Sequence, residues 1–74
     1  MRVTQAEFQN MKEEIVKELI MRLVNDEGLS LQEAFDKVYS SNTFKKLSAP
    51  STALFYQSPG YVYSYLCDEL NINR

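Results

Sequence analysis

The sequence predicts an all-α fold, a small helical bundle in a single domain spanning residues 1–74. Three observations predict it. Residues 4–26 carry a long apolar period of 3.6 residues, two Ser/Thr-x-x-Glu capping boxes mark helix starts, and only two glycines and two prolines interrupt the chain.

Thr4 opens helix 1. Its hydroxyl is placed to accept from the backbone N–H of Glu7, and the Glu7 carboxylate to reach back to the N–H of Thr4. Val3 and Phe8 have the spacing of a hydrophobic staple across that cap. Phe8, Met11, Ile15, Val16, Leu19, Ile20, Leu23 and Val24 then recur at helical spacing. They span roughly 220° of the helix circumference, against the ~100° stripe of an ordinary surface helix. Such an arc needs apolar neighbours on more than one side, and no other segment is long. Glu13–Lys17 and Glu18–Arg22 are i, i+4 pairs with the acid first, each worth a few tenths of a kcal/mol at most. Arg22 falls on the apolar side, either with its stem covering a neighbour's edge or with its charge paired across a subunit contact.

Gly28 suits the left-handed residue that ends a helix, and Ser30 with Glu33 forms the second capping box. So short a link folds helix 2 back on helix 1 as an αα-hairpin. Leu31, Ala34, Phe35 and Val38 form its expected inner face, with Tyr39 at the edge and Glu33–Lys37 towards solvent. After the cap-forming residues 40–43, Phe44 and Leu47 define a short third helix over residues 42–47 with Lys45 and Lys46 outside. Residues 48–52 read as a proline turn, and residues 53–57 as an extended aromatic connector that docks Leu54 or Phe55 into the core. Ser58 caps the last helix, with Pro59 at its first position, where a missing N–H costs nothing. Val62, Tyr65, Leu66 and Leu70 form its expected stripe with Tyr63 flanking, and residues 71–74 read as a frayed tail. The last helix is expected to pack across helix 1.

Composition excludes several classes of chemistry. Without histidine there is no Ser-His or Cys-His pair and no Cys/His zinc site, and the lone Cys67 forms no disulfide within the chain. Cys67 reads as an inert, partly buried thiol. Glu13-Glu14 and Asp68-Glu69 are neighbours in sequence, so each pair splays around its helix. No catalytic residue, cofactor or metal is expected. The net charge of −2 gives no broad attraction to nucleic acid or anionic lipid. The N-terminus lacks a signal peptide's apolar run, and no run is long enough to span a bilayer, so a cytoplasmic, membrane-free protein is expected.

Helices 2 and 3 can be set against the DNA-binding helix-turn-helix, but their turn lacks glycine and the would-be recognition helix offers only Lys45 and Lys46. Nucleic acid is therefore disfavoured as a partner. The most unusual local feature is the tyrosine run Tyr56, Tyr61, Tyr63 and Tyr65 around Gln57 and Ser58. One reading has the rings capping a small core. The other makes Tyr56, Gln57, Ser58, Tyr61 and Tyr63, helped by Lys45 and Lys46, a partner-binding site or an anion- or peptide-binding pocket at the start of the last helix.

The pattern Ser41-Asn42-Thr43-Phe44-Lys45-Lys46-Leu47, Thr52, Leu54-Phe55-Tyr56-Gln57-Ser58, Tyr61-Val62-Tyr63, Leu66 and Glu69 resembles a family of small uncharacterised bacterial proteins. Ala53 stands where that pattern leads one to expect glycine, so the turn type there stays open. The family has no established activity, so no site residue carries over. Relatives of this kind are encoded beside other small proteins in toxin–antitoxin-like modules, so the resemblance implies a protein partner and not a substrate. The apolar arc of helix 1, too wide for a short chain to cover, makes the expectation a non-enzymatic protein–protein interaction module that self-associates as a homodimer, with a helix-turn-helix regulator or antitoxin-like component, or the tyrosine pocket, as alternatives.

Overall fold

In a computed structural model, which describes residues 3–72, the chain folds as four helices: α1 Gln5–Glu27, α2 Leu31–Tyr39, α3 Asn42–Leu47 and α4 Pro59–Leu70. Two short 3-10 turns, Pro50–Thr52 and Leu54–Tyr56, join α3 to α4. At ~1.5 Å per residue α1 alone is about 35 Å long. It sets the long dimension of a molecule measuring 37 × 20 × 18 Å.

Both capping boxes form. Thr4 N donates to Glu7 at 2.9 Å and Glu7 N to Thr4 Oγ1 at 3.0 Å. Ser30 and Glu33 repeat the arrangement at 3.0 and 3.1 Å. These bonds hold the Glu7 and Glu33 carboxyls below their ordinary value of 4.5. Gly28 ends α1 at φ 70°, donating its N–H to the Leu23 carbonyl.

The core is continuous. Phe8, Ile15, Val16, Leu19, Ile20 and Leu23 are buried on α1, with Met11 and Val24 half-buried at the edges. The buried set covers about 140° of the helix, narrower than the full apolar arc. Helix α1 is packed by α2, by α4 and by the second 3-10 turn, so three short segments of the same chain cover it. The breadth of this arc therefore does not itself require a second molecule. Phe8 meets Phe55 edge-on with ring centroids 4.8 Å apart.

Residues 53–57 are not extended. Ala53 adopts a left-handed conformation at φ 57°, and the chain then coils through Leu54–Tyr56, burying both Leu54 and Phe55. Thr52 ties this corner: its Oγ1 lies 2.6 Å from the Lys46 carbonyl and 2.9 Å from that of Ala49, and accepts from Leu54 N at 3.2 Å.

The α3–α4 joint is polar. Glu69 on α4 accepts from Asn42 N at 2.7 Å, and from Thr43 N and Thr43 Oγ1 at 2.9 Å each, capping α3 from 26–27 residues away. Partial burial pushes the Glu69 carboxyl up, but the donors from Asn42 and Thr43, with Lys46 nearby, hold it below its ordinary 4.5. Ser41 adds a local cap, accepting from Phe44 N at 3.0 Å and donating to the Val38 carbonyl at 2.6 Å.

The expected faces of two helices need correction. On α2 only Ala34 and Val38 are buried, whereas Leu31, Phe35 and Tyr39 are 64%, 49% and 44% exposed. With the small side chain of Ala34 towards α1, the larger apolar residues stand at the rim of the contact. On α4 the buried set is Val62, Tyr63, Leu66 and Cys67, so Tyr63 replaces Tyr65 on the inner stripe. Lys17 pairs with Glu14 at 3.6 Å, not with Glu13. Arg22 is satisfied within the chain: Nε lies 3.2 Å from Glu18, and the guanidinium stands 5.7 Å from the Tyr63 ring centroid. The expected frayed tail is ordered at Asn71 and Ile72: Asn71 takes φ 60°, and Ile72 donates to the Cys67 carbonyl at 2.9 Å and packs on the core. Asn73 and Arg74 lie outside the described residues.

Two stability predictions follow from the joint and the corner. Ala53→Gly relieves a left-handed alanine costing ~1–2 kcal/mol, less the ~0.4–1 kcal/mol that glycine adds to the unfolded chain's freedom, so urea unfolding is expected to show a gain of about 0.5–1 kcal/mol. Glu69→Gln is expected to cost about 1–2 kcal/mol at pH 7. Because the folded Glu69 carboxyl lies below its unfolded value, this stabilisation is present above pH 4.5 and is lost as pH falls below it. Acid titration of the unfolding midpoint is expected to be shallower for Glu69→Gln than for the wild type.

Candidate interaction surface

The structure divides the sequence-predicted site residues between three environments. Tyr63 is buried, 4% exposed, beneath Arg22, and is therefore removed from the predicted binding surface. Ser58 is exposed but committed to the α4 cap, accepting from Tyr61 N at 3.2 Å. Gln57 is exposed, and its N–H closes the second 3-10 turn onto the Leu54 carbonyl at 3.0 Å.

The remaining tyrosines reach the surface. Tyr61 and Tyr65 stand one turn apart on α4 with ring centroids 5.3 Å apart and hydroxyl oxygens 3.3 Å apart. The hydrogen bond to Tyr65, followed by charge coupling to it and slight desolvation, pushes the Tyr61 phenol above its ordinary 10.0. Tyr56 is exposed and tilts against Phe55 at 4.7 Å.

Of the two lysines, Lys46 lies 5.9 Å from the Tyr65 ring centroid and close enough to Glu69 to lower its pKa. Lys45 is exposed on the outer side of α3. A pocket of about 120 Å³ opens between Thr43, Lys46, Thr52, Leu54 and Tyr65. The two threonine hydroxyls in it are engaged with Glu69 and with backbone carbonyls. At the start of α4, Pro59 has no N–H, Tyr61 N donates to Ser58 Oγ and Val62 N to the Ser58 carbonyl. The corner thus offers an anion one ammonium group beside a carboxylate, with several nearby donors spent on the fold. Six-residue α3 likewise presents a basic face shared with Glu69.

The second surface was not singled out from sequence. Leu31 and Phe35, four residues apart on α2, project as a ridge. On one side, Lys17, Ile20 and Met21 of α1 complete a groove of about 340 Å³. On the other, Gln32 and Asp36 border a second depression of about 380 Å³. Met21 is 49% exposed on the first rim. Phe35 stacks on Tyr39 with centroids 4.4 Å apart, and Tyr39 meets Phe44 at 4.7 Å. The aromatic row is thereby braced on α3 before anything docks against it. The available signal was the apolar width of α2, with Leu31, Phe35 and Tyr39 spread around a helix of nine residues. Periodicity alone directs that width at the core, whereas the folded chain leaves it exposed.

The carboxylates of Glu7, Glu33 and Glu69 cap helices, and those of Glu14 and Glu18 pair with Lys17 and Arg22. Among the described residues, no group of three or more Cys, Asp or Glu side chains is placed to hold a metal ion. None of the helices among the described residues is long and apolar enough to cross a membrane. The class defined by fold and surface is a small all-α bundle with an exposed aliphatic–aromatic ridge. Comparison with protein-family models, with curated proteins and with solved structures finds no match to this chain.

Spectrophotometric titration offers a direct check of the tyrosine pair. One phenol is expected to ionise above 10.0 in the wild type. Tyr65→Phe is expected to bring it back towards the ordinary value, because the hydrogen bond that favours the neutral form is gone.

Proposed function

We propose that the protein is a non-enzymatic protein–protein interaction module that works by self-association, as a homodimer in the cytoplasm, through the α1–α2 ridge. The observation that carries this reading is the exposure of Leu31, Phe35 and Met21 around an apolar groove, beside a continuous core that closes without them. A bordered apolar patch on a small protein is a common mark of a docking surface. The stacking of Phe35 on Tyr39 adds to this, since a ring already held in place loses little freedom when a partner covers it. Commitment of several carboxylates to caps and ion pairs supports the non-enzymatic part. The resemblance of residues 41–70 to small bacterial proteins of toxin–antitoxin-like modules agrees with a protein partner.

Helix α2 is only about 13 Å long at ~1.5 Å per residue, so the contact is modest and a dissociation constant in the micromolar range is expected. Light scattering at high micromolar concentration is expected to give a dimer for the wild type. Phe35→Glu is expected to give a monomer with unchanged helix content, because Phe35 is half exposed in the single chain. A wild-type monomer under those conditions contradicts self-association.

A further inference from the structure

We infer that the groove between α1 and α2 receives the Leu31–Phe35 ridge of a second copy of the chain, about a two-fold axis running along the ridge, with Lys17 of each copy facing Asp36 of the other. This rests on the self-association reading above and adds its register.

The patch is self-complementary. In a two-fold contact the same patch serves both molecules, so every protrusion must meet a depression of its own making. Leu31 and Phe35 supply both shapes: they are the crest of the ridge and also one wall of the groove whose other wall is Lys17, Ile20 and Met21. Rotation about an axis along the ridge, midway between crest and groove, lays each crest in the opposite groove. Helix faces interlock through such ridges and grooves in general.

Charge fits the same operation. Lys17 borders the groove on the α1 side, and Asp36 borders the ridge on its opposite flank. The two-fold exchanges these borders, so a cationic rim comes against an anionic one twice per dimer. A two-fold axis running across the ridge, in place of along it, brings like rims together instead. Lys17 has a weak prior partner in Glu14 at 3.6 Å, but both side chains are about three-quarters exposed, at 73% and 75%. An exposed pair of this kind is readily exchanged. Size is also compatible. A standard contact covers about 800 Å² per partner. That is roughly one-sixth of this chain's 4851 Å².

Sedimentation equilibrium on charge-swapped chains tests the register. Lys17→Glu and Asp36→Lys singly are each expected to weaken self-association about tenfold, because two rim pairs change from attraction to repulsion. The double variant Lys17→Glu/Asp36→Lys, and an equimolar mixture of the two single variants, are expected to recover wild-type affinity to within about threefold, since both restore opposite charges across the contact. Circular dichroism of each variant establishes that the helices are intact. Single variants that dimerise like the wild type, or weakened singles without recovery in the double and the mixture, overturn the register. In those cases loss of the dimer in Phe35→Glu still upholds the ridge as the contact. A monomeric wild type overturns register and self-association together, leaving the ridge to a different protein.

Discussion

The burial of α1 is the constraint on which the rest depends. A single helix of 23 residues runs the length of the molecule, and Leu19 and Leu23 in its C-terminal half are completely enclosed. A chain of this size has little apolar surface to spend, since small domains bury only ~60% of what their unfolded chains expose. The solution is division of labour. One flank of α1 is covered by α2, another by α4, and the N-terminal part by the second 3-10 turn, where Phe55 meets Phe8. Each covering segment is short, and each is held by a local polar device: the Ser30–Glu33 box for α2, the Ser58 cap for α4, and the left-handed Ala53 with Thr52 at the turn.

The Glu69 cap makes this arrangement cooperative. It is a polar contact between residues 26–27 positions apart in sequence, and it fixes the α3 start against α4. That placement orients Phe44, which in turn supports Tyr39 and, through it, Phe35. A rim feature on α2 is therefore positioned from the far side of the bundle. Exposure of Leu31 and Phe35 is the consequence of covering α1 with so narrow a helix: Ala34 and Val38 suffice for that contact, and the flanking apolar side chains are left over.

Much of the fold was legible in the residues because caps are local. Thr4–Glu7, Ser30–Glu33, Gly28 and Ser58-Pro59 place helix ends through bonds three or four residues long, and the helices begin and end there. Rotation of a short helix about its own axis is a different matter, since it depends on what lies opposite. Tyr63 and Tyr65 are equally amphipathic, and it is in the packed fold that Tyr63 lies inside, with the Arg22 guanidinium over its ring. Nor does sequence announce a left-handed alanine. Ala53 carries a conformation that glycine adopts freely, which is why residues 53–57 read as extended. The tyrosine surface was legible as composition only. Its partition into buried Tyr63 and exposed Tyr56, Tyr61 and Tyr65 required the fold.

The apolar residues of the hairpin divide into those that hold one chain together and those that do not. Chemical denaturation of Leu23→Ala and Leu31→Ala, compared at a concentration low enough to keep the chain monomeric, tests that division. Leu23→Ala is expected to lose about 2–5 kcal/mol or fail to fold, as buried leucines do. Leu31→Ala is expected to stay within about 0.5 kcal/mol of the wild type, as exposed positions do. Equal losses at the two positions would contradict the account, placing Leu31 in the core and removing the ridge.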